Sequence, residues 1–184
     1  MPEESLKSGV IGEREKSAIR INDYDSDWPK KFETHARSIA GALGDAALRI
    51  EHIGSTSVPG LGAKPIVDIL VVVTDSTDES TYLPQLETAG YVLRVREPDW
   101  NEHRMFRTPE KDVHIHVYSA GCPEIQRNLI FRDRLRRNVH DRLRYEQTKR
   151  RLAAKNLPDH QAYTDAKTEV IESIIAAAQR EIDR

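Results

Sequence analysis

A single carboxylate, Asp68, interrupts the apolar run Ile66-Val67-Asp68-Ile69-Leu70-Val71-Val72-Val73. Upstream of it stands the turn sequence Gly54-Ser55-Thr56. Glycine permits a tight turn and close backbone approach, and exposed N–H groups with the Ser55 and Thr56 hydroxyls can hold phosphate oxygens. A Gly-Ser turn facing a strand carboxylate suits a metal–nucleoside triphosphate, with Ser55 cradling phosphates and Asp68 holding Mg²⁺. Each feature alone has an ordinary explanation. The hydroxyls would cap a following helical turn, and Asp68 would form a salt bridge to Lys64 or a late arginine. Their occurrence together, in this order, favours a site.

Two further groups carry chemistry. His114 and His116 lie two residues apart, so on a strand they share a face. Neutral imidazole suits Zn²⁺ and other transition metals and serves Mg²⁺ poorly; it can also act as a general base, or bind phosphate when protonated. The plain alternative is a pair of surface histidines on a hairpin. His52, just before the Gly-Ser turn, offers a third imidazole. The stretch from Arg127 to Lys155 is strongly basic. Most of it reads as a solvated helix face. Arg132 and Arg136 are spaced to point one way from a helix. With Lys64 and Lys149 they are candidates to neutralise a triphosphate or an anionic acceptor, because guanidinium forks match phosphate oxygens.

The elements that must position these residues can be read from periodicity. On the strand Pro65–Val73, Ile66, Asp68, Leu70 and Val72 share one face, and Val67, Ile69 and Val71 share the other. A buried carboxylate there without a partner would cost several kcal/mol. Leu48–Ile53, Tyr91–Val95, Arg104–Thr108 and Val113–Ser119 are further strands, the last two joined by the turn Pro109-Glu110-Lys111-Asp112 as a hairpin. Residues 29–43 form an amphipathic helix; a second carries Leu83, Leu86 and Ala89 and ends at Gly90. Residues 123–137, 139–155 and 159–182 are helical, with breaks at Asn138 and Asn156-Leu157-Pro158. The pattern predicts an α/β (α+β) fold, one mixed β-sheet flanked by helices. It divides into a loose tail over 1–17, a core over 18–120 and a helical C-terminal region over 121–184. Trp100, in a loop before the hairpin, is either an anchor or a stacking surface at the cleft. The run Val170, Ile171, Ile174, Ile175, Ala178 is core packing or a homodimer face.

The string His52-Ile53-Gly54-Ser55-Thr56-Ser57-Val58-Pro59-Gly60-Leu61, followed by Lys64-Pro65-Ile66-Val67-Asp68-Ile69, resembles the GrpB family of bacterial proteins. Tyr24 with Trp28-Pro29, Asp99-Trp100, His114-Ile115-His116-Val117, Phe131 to Arg136, Tyr145 and Lys149 extend the resemblance over most of the chain. The family looks like a branch of the nucleotidyltransferase superfamily that includes DNA polymerase beta. The resemblance implies a nucleotidyltransferase-like sheet with strand carboxylates that bind metal. Such enzymes usually carry Asp-x-Asp or Asp-x-Glu on the strand and a third carboxylate on a later one. Here the second position is Leu70, and the later strand offers His114 and His116. Either the two-metal site is lost and the domain binds a nucleotide or phosphometabolite without turnover, or imidazoles rebuild a site with Asp68. The expected activity is metal-dependent transfer of a nucleotidyl group from an NTP to a small-molecule or protein acceptor. Asp68, His114 and His116 are its expected catalytic residues. Asp68 and His116 are expected to hold Mg²⁺, Mn²⁺ or Zn²⁺.

The bulk numbers bound the partners. With 28 basic and 30 acidic residues the chain has no global charge that calls for nucleic acid or a membrane. The basic stretch has little aromatic interleaving beyond Tyr145, which disfavours nucleic acid. Cys122 is the only cysteine, so no intrachain disulfide can form. With no apolar leader and no membrane-length run, the expected location is cytoplasmic.

Overall fold

The computed structural model describes residues 9–12, 18–155, 157 and 160–183. Its strands are β1 (Gly9–Val10), β2 (Arg49–Ile53), β3 (Val67–Val73), β4 (Val92–Glu97), β5 (His103–Arg107) and β6 (Val113–Ser119). Its helices are α1 (Trp28–Leu43), α2 (Leu83–Thr88), α3 (Pro123–Arg137), α4 (Val139–Ala153), α5 (His160–Ala166) and α6 (Thr168–Ile182). The strands form one mixed sheet in the order β1-β4-β5-β6-β3-β2. Only β3 and β6 pair in parallel; the other pairs are antiparallel. The expected α/β architecture is the one observed.

The apolar strand β3 lies between β2 and β6 and is buried except at Asp68, which is half-buried. Its register sets Asp68 opposite Ile53 on one side and His114 on the other, with Leu70 opposite His116. Period-2 alternation then sorts the core. Ile69, Val71, Val113, Ile115, Val117 and Phe106 face α1 and α2 with Trp28, Ile39, Leu43 and Leu86. Ile53, Leu70, Val72 and Tyr118 face the other way, against Leu129 of α3. Each fully buried side chain of this size stabilises the fold by about 1.5–3 kcal/mol. A separate cluster of Leu135, Tyr145, Val170 and Ile174 packs on Val58 and Leu61. The loop after β2 is thereby clamped between the sheet and the C-terminal helices.

Local signals explain the helix limits. Pro29 enters α1 at its first turn, where no intrahelical N–H is needed, and Gly44 at φ 51° ends it. Asn138 separates α3 from α4 as expected, and its side chain accepts from the Asp141 N–H, capping α4. The helix expected over 159–182 is instead two helices that turn at Lys167, whose N–H donates to the Thr164 carbonyl in a tightened last turn. This break lets Tyr163 and the Val170–Ile174 stripe bury against different neighbours. Val170, Ile174 and Ala178 are buried within the chain, so that run is core packing. Of the polar segment read as a tail over 1–17, residues 1–8 and 13–17 lie outside the described residues. Gly9 and Val10 pair with Arg96 and Val95 at the sheet edge. Among the described residues no helix is long and apolar enough to cross a membrane.

Candidate functional site

The turn after β2 is built around contact with Asp68. Gly54 has φ 70° and ψ −175°, a conformation essentially restricted to glycine. A Cβ on Gly54 would lie 2.6 Å from Asp68 Oδ2 and 3.2 Å from its Cβ and Cγ. The backbone of the turn therefore rests directly against the strand carboxylate. Ser55–Ser57 follow as a single helical turn. Ser55 opens onto a cleft of about 130 Å³ shared with Ala63, Lys64, Ile66, Asp68, His114, Lys149, Tyr163 and Lys167. Thr56 points away; it is buried, and its hydroxyl meets His52 Nε2 at 3.0 Å.

Asp68 is the meeting point of two imidazoles. His116 Nε2 lies 3.1 Å from Asp68 Oδ1, and His114 Nδ1 lies 3.7 Å from the same oxygen. One potential ligand atom from each of the three residues fits within a span of 4.8 Å. Burial pushes the Asp68 carboxyl up, but the His116 hydrogen bond and the charges of His116, His114 and Lys64 outweigh it and hold it below the usual carboxylate range. Burial drives His114 down to about 4, against the pull of Asp68, so its ring is neutral near pH 7. Behind His116 a second imidazole continues the line. His103 Nε2 lies 3.1 Å from His116 Nδ1, and His103 Nδ1 lies 2.7 Å from Glu97 Oε2. The His103 ring lies side by side with His116, stacks on Tyr118 and meets the edge of the exposed Trp100.

Lysines of three separate elements reach the cleft that Asp68 and His114 border. Lys149 comes from α4, Lys64 from the loop before β3 and Lys167 from the turn between α5 and α6. The Lys149 ammonium donates to Ser55 Oγ at 2.9 Å and to the Gly62 carbonyl, and lies over the Tyr145 ring. Lys167 and Lys64 both lie over the Tyr163 ring, at 4.5 and 5.8 Å from its centroid. Burial pushes Lys149 down to about 7, helped by the charge of Lys167. Burial and the charge of Lys64 bring Lys167 to about 8, against the pull of Asp68. Burial likewise lowers Lys64, opposed by Asp68. The Tyr163 hydroxyl is buried and has no hydrogen-bond partner among the described residues. Lysines that share one cleft hold down one another's charge, here Lys64 on Lys167 and Lys167 on Lys149.

Residues 18–177 match the family described as GrpB protein. The chain belongs to the GrpB family. It is 50% identical over 178 residues to a UPF0157 protein of Halalkalibacterium halodurans, covering 96% of this chain and 91% of that one. The crystal structure of a conserved GrpB protein from Enterococcus faecalis superposes with a TM-score of 0.80 at 32% identity, over 90% of this chain and all of the other. A protein of Mycolicibacterium paratuberculosis named dephospho-CoA kinase is 25% identical over 178 residues, a match spanning 83% of this chain and 44% of that longer protein.

This GrpB-family fold brings together Gly54, Ser55, Lys64, Asp68, His114, His116 and Lys149, as their types and order suggested. It does not bring in the rest, and those expectations need correcting. Arg132 donates to Glu51, Asp133 and the His52 carbonyl. Arg136 places two N–H groups on the Ser57 carbonyl. Neither lines the cleft. Both guanidinium groups brace the turn from behind, because α3 presents them to the backbone of residues 51–57. His52 pairs with Ile69 and so faces α1, where it stacks on Phe32 at 4.7 Å, away from Asp68. Thr56 is turned to the same interior. Leu70 sits with Ile53, Val72, Tyr118 and Leu129, fully buried. The place of a second strand carboxylate is thus filled by core. One carboxylate and two imidazoles form a donor set that fits a single transition-metal ion such as Zn²⁺ or Mn²⁺ and fits Mg²⁺ poorly.

Four site residues escaped the sequence reading. Glu97 and His103 are on the hairpin side of the sheet, Tyr163 is on α5, and Lys167 is in the turn between α5 and α6. Only His103 carried a signal: an imidazole at the start of the strand that pairs with His-x-His.

Proposed function

We propose that this GrpB-family protein binds the phosphate end of a nucleotide, together with one divalent transition-metal ion, and transfers a nucleotidyl group from an NTP to a small-molecule or protein acceptor. The observation that carries this reading is that Asp68 and His114, clustered with His116, line one cleft together with Lys64, Lys149 and Lys167. Asp68, His114 and His116 would hold the ion, which when bound supplies positive charge to polarise a phosphate oxygen. The lysines that line the same cleft neutralise the remaining phosphate charge. Ser55, fixed by Lys149, lines the cleft, and Gly54 allows the turn to approach Asp68. The similarity to a segment of a protein named dephospho-CoA kinase supports a nucleotide-related setting.

Leu70 favours a second reading, a nucleotide- or phosphometabolite-binding module without turnover. Its full burial leaves no room for the second carboxylate that a two-metal transfer centre uses. Both readings are tested by titrating ATP, CTP, GTP and UTP calorimetrically with and without Mg²⁺, Mn²⁺ or Zn²⁺, alongside pyrophosphate release in cell extract. Metal-dependent binding that Asp68→Asn removes, with pyrophosphate release, supports transfer. The same binding without pyrophosphate supports the module. Equal metal-dependent affinity in wild type and Asp68→Asn would refute Asp68 as a ligand.

A further inference from the structure

The line Glu97–His103–His116–Asp68 ends in a carboxylate on each side, which sets the direction of donation along two neutral rings. A carboxylate only accepts, so His103 Nδ1 donates to Glu97 Oε2 across 2.7 Å. A neutral imidazole carries one N–H and one lone pair. His103 Nε2 is therefore the lone-pair nitrogen, and it accepts from His116 Nδ1 across 3.1 Å. A neutral His116 that donates from Nδ1 has its lone pair on Nε2, which lies 3.1 Å from Asp68 Oδ1. His116 Nε2 carries there either a proton, which makes the contact a hydrogen bond, or a metal ion in the proton's place, with the Nδ1 N–H still donated to His103 in both cases. His114 Nδ1 stands beside the same oxygen at 3.7 Å, which gives that metal ion a third donor.

We propose that His103 and Glu97 are positioning residues for a transition-metal ion held by Asp68, His114 and His116: they fix the His116 tautomer so that Nε2 offers its lone pair to the ion. This rests on the metal reading of the site and extends it to residues that do not touch the cleft. The packing supports it. His103 is 6% exposed; its ring stacks on Tyr118 at 4.9 Å and lies nearly parallel to His116, 15° between planes, as an in-plane N–H···N bond requires. Glu97 sits at the outer end of the line with its side chain 40% exposed. Outer partners of metal-bound histidine commonly hold about 10- to 100-fold of metal affinity.

The test compares wild type, His103→Phe and His103→Gln for Zn²⁺ affinity by competition with a chromophoric chelator, and for the visible absorption bands of the Co²⁺ forms. Phenylalanine keeps the stacking and removes the acceptor; glutamine can accept from His116 and donate to Glu97. The expected result is a loss of about 10- to 100-fold in Zn²⁺ affinity with shifted Co²⁺ bands in His103→Phe, and recovery to within a few-fold of wild type in His103→Gln. Glu97→Ala, at a more exposed position, is expected to weaken binding in the same direction with its melting temperature unchanged. Equal losses in both His103 variants would assign His103 to packing and overturn the inference. So would wild-type affinity and bands in His103→Phe. A wild-type protein that binds neither Zn²⁺ nor Co²⁺ would overturn the metal reading itself and this inference with it.

Discussion

Gly54→Ala tests whether the turn and the strand carboxylate are one structural unit. The substitution meets two penalties. The backbone at φ 70° and ψ −175° is strained for any residue with a side chain, by about 1–3 kcal/mol. The new methyl would also stand 2.6 Å from Asp68 Oδ2, so the carboxylate must move and loosen its 3.1 Å hydrogen bond to His116. For a charge-assisted bond that is partly open to water this adds about 1–2 kcal/mol. A total of about 2–5 kcal/mol predicts a melting temperature lower by about 5–15 °C for a chain of this length. The two penalties separate in a double-mutant cycle followed by chemical denaturation. Asp68→Ala removes the atoms the methyl would strike but leaves the backbone strain. In the Asp68→Ala background Gly54→Ala should therefore cost about 1–2 kcal/mol less than in wild type. Additive costs in the cycle would show that Gly54 answers only to local backbone geometry. A Gly54→Ala protein that melts with wild type would refute the turn geometry altogether.

Leu70→Asp, which would restore the superfamily's paired carboxylates, should destabilise the protein by several kcal/mol and leave metal affinity unimproved, because the site is fully buried among Ile53, Val72, Tyr118 and Leu129. Tighter Mg²⁺ binding by a stably folded Leu70→Asp protein in calorimetry would contradict this. Arg136→Lys, which cannot place a planar fork on the Ser57 carbonyl, should lower stability by about 1 kcal/mol. Nucleotide affinity should fall far less than in Lys167→Ala; the opposite ranking by calorimetry would return Arg136 to the phosphates. Acid sensitivity should depend on His52. Burial pushes its pKa down from 6.5 to about 4, so between those values the unfolded chain binds the extra proton. His52 therefore withdraws stability as pH falls from 6.5 towards 4. His52→Gln should flatten the decline of unfolding free energy over that window, and an unchanged slope would show that His52 titrates normally in the fold.

The sequence by itself determined the elements and the faces. Period-2 alternation put Asp68 and Leu70 on one side of β3 and His114 with His116 on one side of β6, because side-chain direction on a strand is a local property. The Gly54-Ser55 turn, the hairpin, the helix break at Asn138 and the apolar stripe of α1 were legible for the same reason: each depends on residues a few positions apart. What the sequence could not decide was which faces meet. The parallel register of β3 with β6 sets Asp68 beside His114, and the antiparallel hairpin brings His103 behind His116. Local pattern is equally compatible with neighbouring registers until both faces of the sheet are packed. The lysine wall shows this best. Lys64, Lys149 and Lys167 are separated by long stretches of chain, and Lys167 enters only because the last helical segment breaks there. Arg132 and Arg136 look alike in sequence to phosphate-binding arginines, yet the docking of α3 commits their guanidinium groups to Glu51, Asp133 and backbone carbonyls. Helix spacing fixes the direction of a side chain on its own helix; only the placement of that helix on the sheet decides whether a cleft or a carbonyl lies in front of it.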